Sequence, residues 1–104
     1  MSLTTSTAVV KTDRAPRYGK QLVSHLGRRL IATWDETHNT GTLDIGDNAG
    51  RVTLLCTPDT LNISIVGHQL TDERIAQMED VVTRHLERFS ARDPLNVHWV
   101  RSPQ

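Results

Sequence analysis

Apolar positions recur along this chain in two periods, and the switches between them mark its elements. From Thr5 to Thr12 the run Thr-Ser-Thr-Ala-Val-Val-Lys-Thr is rich in β-branched residues and reads as a first strand. From about Arg14 to Leu26 the period becomes helical. Ala15, Tyr18, Gly19, Leu22, Val23 and Leu26 then fall within one arc of about 140°, the face expected to be buried. Asp13 is the expected N-cap, with Pro16 in the first turn, where its missing N–H is not needed. Gly27 is expected to stop the helix in a left-handed conformation.

Four alternating segments follow. Leu30 to Trp34 sets Leu30, Ala32 and Trp34 on one side, and Thr40 to Gly46 points Leu43 and Ile45 inward. Arg51 to Thr57 points Val52, Leu54 and Cys56 inward, and Leu61 to Gly67 points Leu61, Ile63 and Ile65 inward. The links between them are short and polar, which predicts antiparallel hairpins. Pro58 suits the second position of a type I turn. The helical period then returns. Thr71 is the expected N-cap, with Asp72 and Glu73 at the positive end of the helix dipole and Leu70 stapled against Ile75. Ile75, Met78, Val82, Leu86 and Phe89 make the apolar stripe, and Pro94 prevents any continuation. Leu95, Val97 and Trp99 are expected in a final strand.

The predicted fold is therefore α+β: an antiparallel sheet with two helices packed on one face, in the order β-α-β-β-β-β-α-β. Residues 1–4 read as a disordered tail and 5–101 as one domain, which suits a chain of 104 residues. The outer sheet face would show Ile31, Leu55, Val66 and Val100 among Thr33, Thr42, Thr53, Asn62, Ser64 and His98. That is apolar enough to predict a homodimer through this face.

Charge changes the picture only locally. The chain carries 12 bases and 12 acids, so no global field draws it to nucleic acid or an acidic membrane. The first third is basic, however, and the middle is acidic. No apolar run approaches a membrane span, and no leader pattern is visible at the N-terminus, so a cytoplasmic location is expected. The single cysteine, Cys56, excludes an intrachain disulfide and reads as a small buried hydrophobe. One Tyr and one Phe offer too little stacking surface for single-stranded nucleic acid.

The pattern Arg17-Tyr18-x-Lys20-Gln21-Leu22-x-Ser24-His25-x-Gly27, then Trp34-Asp35, resembles a known family. So do Glu79-Asp80-Val81-Val82-x-Arg84-His85-Leu86-Glu87-Arg88-Phe89 and Val97-x-Trp99. The family is the bacterial DUF2218 family, common in actinobacteria. The resemblance spans residues 5–101 and implies a small α+β domain. It also implies a link to iron acquisition, through association with siderophore-interacting proteins. It assigns no catalytic residue, and the turn with His38 departs from its pattern.

Two groups of residues are candidates for a site. Arg14, Arg17, Gln21, Ser24, His25 and Arg28 share the polar arc of the first helix. Guanidinium groups in that pattern suit an anion: a phosphate, a siderophore carboxylate or an acidic patch on a partner. A solvated face, or pairing with Glu79, Asp80 or Glu87 across the helices, would equally account for the arc. Second, His25 and His85 sit on the flanks of the two helices, and with Tyr18 they would face one another across an inter-helix groove. The five histidines show no i,i+3 or i,i+4 pair, and His25 with His85 alone would hold a metal weakly. Hydrogen-bonded, half-buried imidazoles are the simpler reading, with His38 and His68 facing solvent. Ser24 and His25 are adjacent, so on a helix they point about 100° apart and cannot act as nucleophile and base. No catalytic residue, cofactor or metal is implied. The expected function is a non-enzymatic accessory or binding module linked to siderophore handling; the alternative is a small metal-dependent or metal-binding protein or enzyme using His25 and His85.

Overall fold

The computed structural model of the chain describes residues 4–45, 50–67, 71–90 and 95–103. In these the two periods become six strands and two helices. They are β1 (Thr4–Lys11), α1 (Ala15–Leu26), β2 (Ile31–Asp35), β3 (Thr40–Ile45), β4 (Gly50–Cys56), β5 (Thr60–Gly67), α2 (Asp72–Phe89) and β6 (Trp99–Pro103). The class and order are those the pattern predicts. All pairings are antiparallel, in the order β2-β3-β4-β5-β1-β6. Consecutive hairpins account for β2 through β5. β1 lies beside β5, with Ala8 opposite Ile63, and β6 covers its other side, with Ala8 opposite Trp99.

Local chemistry fixes two of the turns. Asp35 Oδ1 accepts from the amides of Thr37 at 2.9 Å and His38 at 3.3 Å. Asn39 then takes φ 51°, a left-handed conformation that Asn tolerates better than most residues. At Thr57-Pro58-Asp59-Thr60, the Thr57 hydroxyl oxygen accepts the Thr60 amide at 3.0 Å. The Thr57 amide in turn donates to the Thr60 carbonyl at 2.9 Å.

Alternation delivers Val10, Leu43, Ile45, Val52, Leu54, Leu61, Ile63 and Ile65 to one side of the sheet, where all are buried. All six residues of the predicted α1 face are buried there too. Four of the five α2 stripe residues are buried, and Phe89 is half-buried at the end of the stripe. α1 comes close to the sheet at two glycines. A Cβ at Gly41 would lie 2.8 Å from Val23 Cγ2 and 2.9 Å from Trp34 Cε3, and one at Gly19 would lie 3.2 Å from the Trp34 ring.

α2 is fixed to the other half of the sheet by polar links. The Ser6 hydroxyl on β1 donates to Glu79 Oε2, and Arg101 on β6 donates from Nε (2.9 Å) and Nη2 (2.7 Å) to the same carboxylate. The Trp99 indole N–H donates to Thr83 Oγ1 at 2.9 Å.

Several ends differ from expectation. Arg14, not Asp13, is the N-cap of α1, and its side chain makes no cap. The nearby bond comes from Thr12 at the buried end of β1, whose hydroxyl oxygen accepts the Arg14 amide at 3.1 Å. Asp13 is exposed. Gly27 is right-handed at φ −64°, because the chain keeps turning: the Leu30 amide still donates to the Leu26 carbonyl at 2.9 Å. Gly27 is instead a place of close approach, where a Cβ would lie 3.2 Å from that of Ala32. Thr71 caps α2 as expected, accepting the Arg74 amide at 3.1 Å. The final strand begins at Trp99 rather than Leu95. Leu95 and Val97 still pack on the core, but the β1 ladder starts only at Trp99. Thr4, expected in the tail, opens β1. The expectations for residues 1–3, Gly46, His68, Leu70 and Pro94 lie outside the described residues.

Candidate functional site

The buried faces of α1 and α2 set the helices side by side, so their flanks form the walls of a groove. His25 lies in the last turn of α1, and His85 lies one turn before the end of α2. The two imidazole centroids are 6.3 Å apart, and Phe89 stands 4.9 Å from His25 and 6.0 Å from His85. His85 Nδ1 is 2.7 Å from the Val81 carbonyl, one turn back along α2. A carbonyl can only accept, so Nδ1 donates and Nε2 is the nitrogen left open. The groove encloses about 640 Å³, with Leu26, Leu30, Met78 and Val81 lining it along with both histidines. Its cationic groups are Arg28, Arg29 and Arg74. Arg74 sits in the first turn of α2, the positive end of the helix dipole, where a cation is locally disfavoured. Its Nη1 donates to Gln77 at 3.0 Å. None of these three arginines is in an ion pair among the described residues.

This arrangement suits an anion with an apolar body: guanidinium donors for charge, aliphatic side chains for contact, and three flat rings at one end. It is poorly suited to a metal. Among the described residues no three His, Cys, Asp or Glu side chains converge. Catalytic geometry is equally thin, since Cys56 is half-buried at the end of β4 and burial pushes its thiol pKa up. Among the described residues no helix is long and apolar enough to cross a membrane.

The family described as an uncharacterized protein conserved in bacteria, DUF2218, matches residues 7–100. The chain belongs to the DUF2218 family. Among solved structures, the DUF2218 chain is similar to the NMR structure of PA4090 from Pseudomonas aeruginosa. The two are 27% identical with a TM-score of 0.72, over 92% of this chain and 94% of that one. No curated protein matches.

Measured on this DUF2218 chain, the residues singled out from sequence separate. His25, His85 and Arg28 meet at the groove. Ser24 and Arg28 line a shallower hollow on the opposite flank of α1, with Lys20 and Trp34. Arg14 and Arg17 are exposed and line neither concavity, while Gln21 is half-buried. Tyr18 is a core residue, 4% exposed, two turns before His25 and not among the groove's lining residues. Its ring is taken up by packing under α1.

The alternative pairing of the arc with Glu79, Asp80 or Glu87 is not found among the described residues. Glu79 is taken by Arg101 and Asp80 by Arg84, the latter at 3.0 Å. Two groove residues, Arg29 and Arg74, were not singled out from sequence. One lies in a turn and the other on the second helix, and a single helical wheel shows neither. The cluster of Ser6, Glu79 and Arg101 was also not foreseen. The two Arg101 hydrogen bonds, helped by Ser6 and opposed by partial burial, hold the Glu79 carboxyl below the usual range.

Proposed function

We propose that this protein is a non-enzymatic binding module that takes an anionic organic ligand in the groove between α1 and α2. The observation that carries this reading is the convergence of Arg28, Arg29 and Arg74 from two separate segments over Leu26, Leu30, Met78 and Val81. Guanidinium groups bind carboxylate or phosphate oxygens in a planar, two-toothed fashion, and the ring cluster of His25, His85 and Phe89 offers a flat wall for a planar substituent. The site's place in the cell is the cytoplasm, and its task is accessory to iron and siderophore handling. The family resemblance supports that task, and carboxylate-bearing siderophores have the required charge and apolar body.

Titration of the isotope-labelled chain with an aryl carboxylate, a carboxylate siderophore and inorganic phosphate tests the reading by amide shifts. The organic anions should move the amides of 25–30 and 74–85 in a saturable way. Combining Arg28→Glu with Arg74→Glu should weaken binding by about tenfold to a hundredfold, in keeping with the loss of charge-assisted bonds. Arg17→Glu should leave it unchanged. Equal loss from Arg17→Glu, or no saturable shift at millimolar ligand, would remove the groove as the site.

A further inference from the structure

The α2 wall of the inter-helix groove is a single stripe. Arg74, Met78, Val81 and His85 all line it, at spacings of four, three and four residues, and so share one face of the helix. The stripe begins with a guanidinium, passes two apolar side chains and ends with an imidazole. At a rise of about 1.5 Å per residue, its two ends stand about 16 Å apart. From the other wall His25 joins the imidazole end, its ring centroid 6.3 Å from that of His85, and Leu26 and Leu30 extend the apolar lining. A ligand with one charged head and an apolar tail would use the arginines and the aliphatic stretch, and would leave the imidazoles idle.

The imidazole end can hold charge on one condition. His85 Nδ1 donates to the Val81 carbonyl at 2.7 Å, so a proton taken from water goes onto Nε2 and turns it from acceptor to donor. His25 lies in the last turn of α1, where the negative end of the helix dipole favours a cation. Its ring centroid is 4.9 Å from that of Phe89, close enough for a cation–π contact. Two imidazolium rings this close repel each other and require a negative charge beside them. The groove supplies none, since its lining residues include no Asp or Glu among the described residues. The strands beneath present buried aliphatic side chains. On α2, Glu87 is two residues from His85 and so faces away from it, and Asp80 is held by Arg84. The remaining charged neighbours, Arg28, Arg29 and Arg88, are cationic. The counter-charge therefore has to arrive with the ligand.

We propose that the groove takes a two-headed anion, an organic chain with an acid group at each end, one head on the arginines and the other between His25 and His85, which take up protons from water as it docks. This rests on the groove being the binding site and adds the shape and charge of its occupant. The apolar stretch between Arg74 and His85 sets a minimum length for the chain. Binding of the second head is coupled to pH, whereas binding of the first is not, because guanidinium groups stay charged.

Calorimetry of the full chain with α,ω-dicarboxylates of increasing length, each beside its own monomethyl ester, tests this. The ester keeps the length and loses one charge. Titrations at about pH 6 and about pH 8 lie on either side of the ordinary imidazole value of about 6.5. For long chains, the advantage of the diacid over its ester should grow about fivefold from the higher pH to the lower, the scale of one partly exposed ion pair. Diacids too short to reach from the arginines to the imidazoles should show no such growth. His25→Gln with His85→Gln should abolish it in the long ones. Saturable binding of the ester without any growth for the diacid overturns the proposal and leaves the groove as a site for a single anionic head. Equal growth with short diacids, or growth that survives in the double variant, overturns it as well, because the second head would then lie elsewhere. Absence of saturable binding by either ligand at either pH removes the proposal and the groove together.

Discussion

Glu79 shows how one half-buried charge can join three elements. Its carboxylate takes the Ser6 hydroxyl from β1 and both donors from Arg101 on β6, while its backbone belongs to α2. Arg101 is the main reason its pKa is lowered, Ser6 adds to that, and desolvation opposes both. A carboxyl whose folded pKa lies below its unfolded value binds fewer protons when folded. Stability therefore falls as pH drops. The contribution is complete above the unfolded value of about 4.3. It is lost as pH descends through the lower folded value. Glu79→Gln should flatten the acid limb of stability against pH, and it should cost about 1–3 kcal/mol at neutral pH, the range for removing one partner of a partly buried hydrogen-bonded group. Denaturant melts between pH 3 and 7 of the variant and the wild type check both. An acid limb of unchanged slope would mean that some other carboxylate drives it.

At the scale of elements, the contact between α1 and β3 depends on the absence of a side chain. Gly41 faces Val23 and Trp34 at distances no Cβ tolerates, and the backbone carbonyl of Thr33 stands 3.2 Å away on the third side. Gly41→Ala should therefore cost about 1–3 kcal/mol, as overpacking of a core contact does. Chemical denaturation would measure the loss, and Trp34 fluorescence should shift with it. An alanine accepted at no cost would mean that α1 can ride outward on the sheet. This contact also marks a limit of the sequence reading. Periodicity shows that Val23 and Trp34 face inward, because burial repeats every two or 3.6 residues and leaves a pattern. It does not show that Gly41 sits beneath them. The same limit explains the caps: one residue separates Asp13 from the observed cap, and Thr12 acts only because β1 ends buried. It also explains the site. His25 and His85 are legible as flanks of two wheels. Arg29 and Arg74 join them only once the helices lie together, and the link from Glu79 to Arg101 crosses 22 residues without any local signature.

For the whole molecule, the main consequence of the topology is that β1, first in sequence, is interior in the sheet. β5 holds one side of it and β6 the other, so the C-terminal strand is what keeps β1 from being an edge. β6 is short, and much of its hold comes from two side chains that reach α2: Trp99 to Thr83 and Arg101 to Glu79. Trp99 also packs on the core while remaining half-exposed. Trp99→Ala should cost about 2–3 kcal/mol, less than the roughly 3–5 of a fully buried aromatic. For a domain of this size that lowers the unfolding midpoint by roughly 10 °C or more. The loss should not be confined to stability. Once β6 lifts away, β1 presents Thr5-Ser6-Thr7-Ala8-Val9-Val10, a β-branched run with no charge until Lys11. Such an edge recruits other strands. Trp99→Ala should thus aggregate on mild heating, and adding Thr7→Lys or Val9→Lys, which places a charge on the freed edge, should suppress the aggregation without recovering the midpoint. Light scattering recorded during a thermal melt separates the two effects. If the added lysine raised the midpoint, or if Trp99→Ala melted without scattering, β6 would be a packing strand only and not the guard of β1.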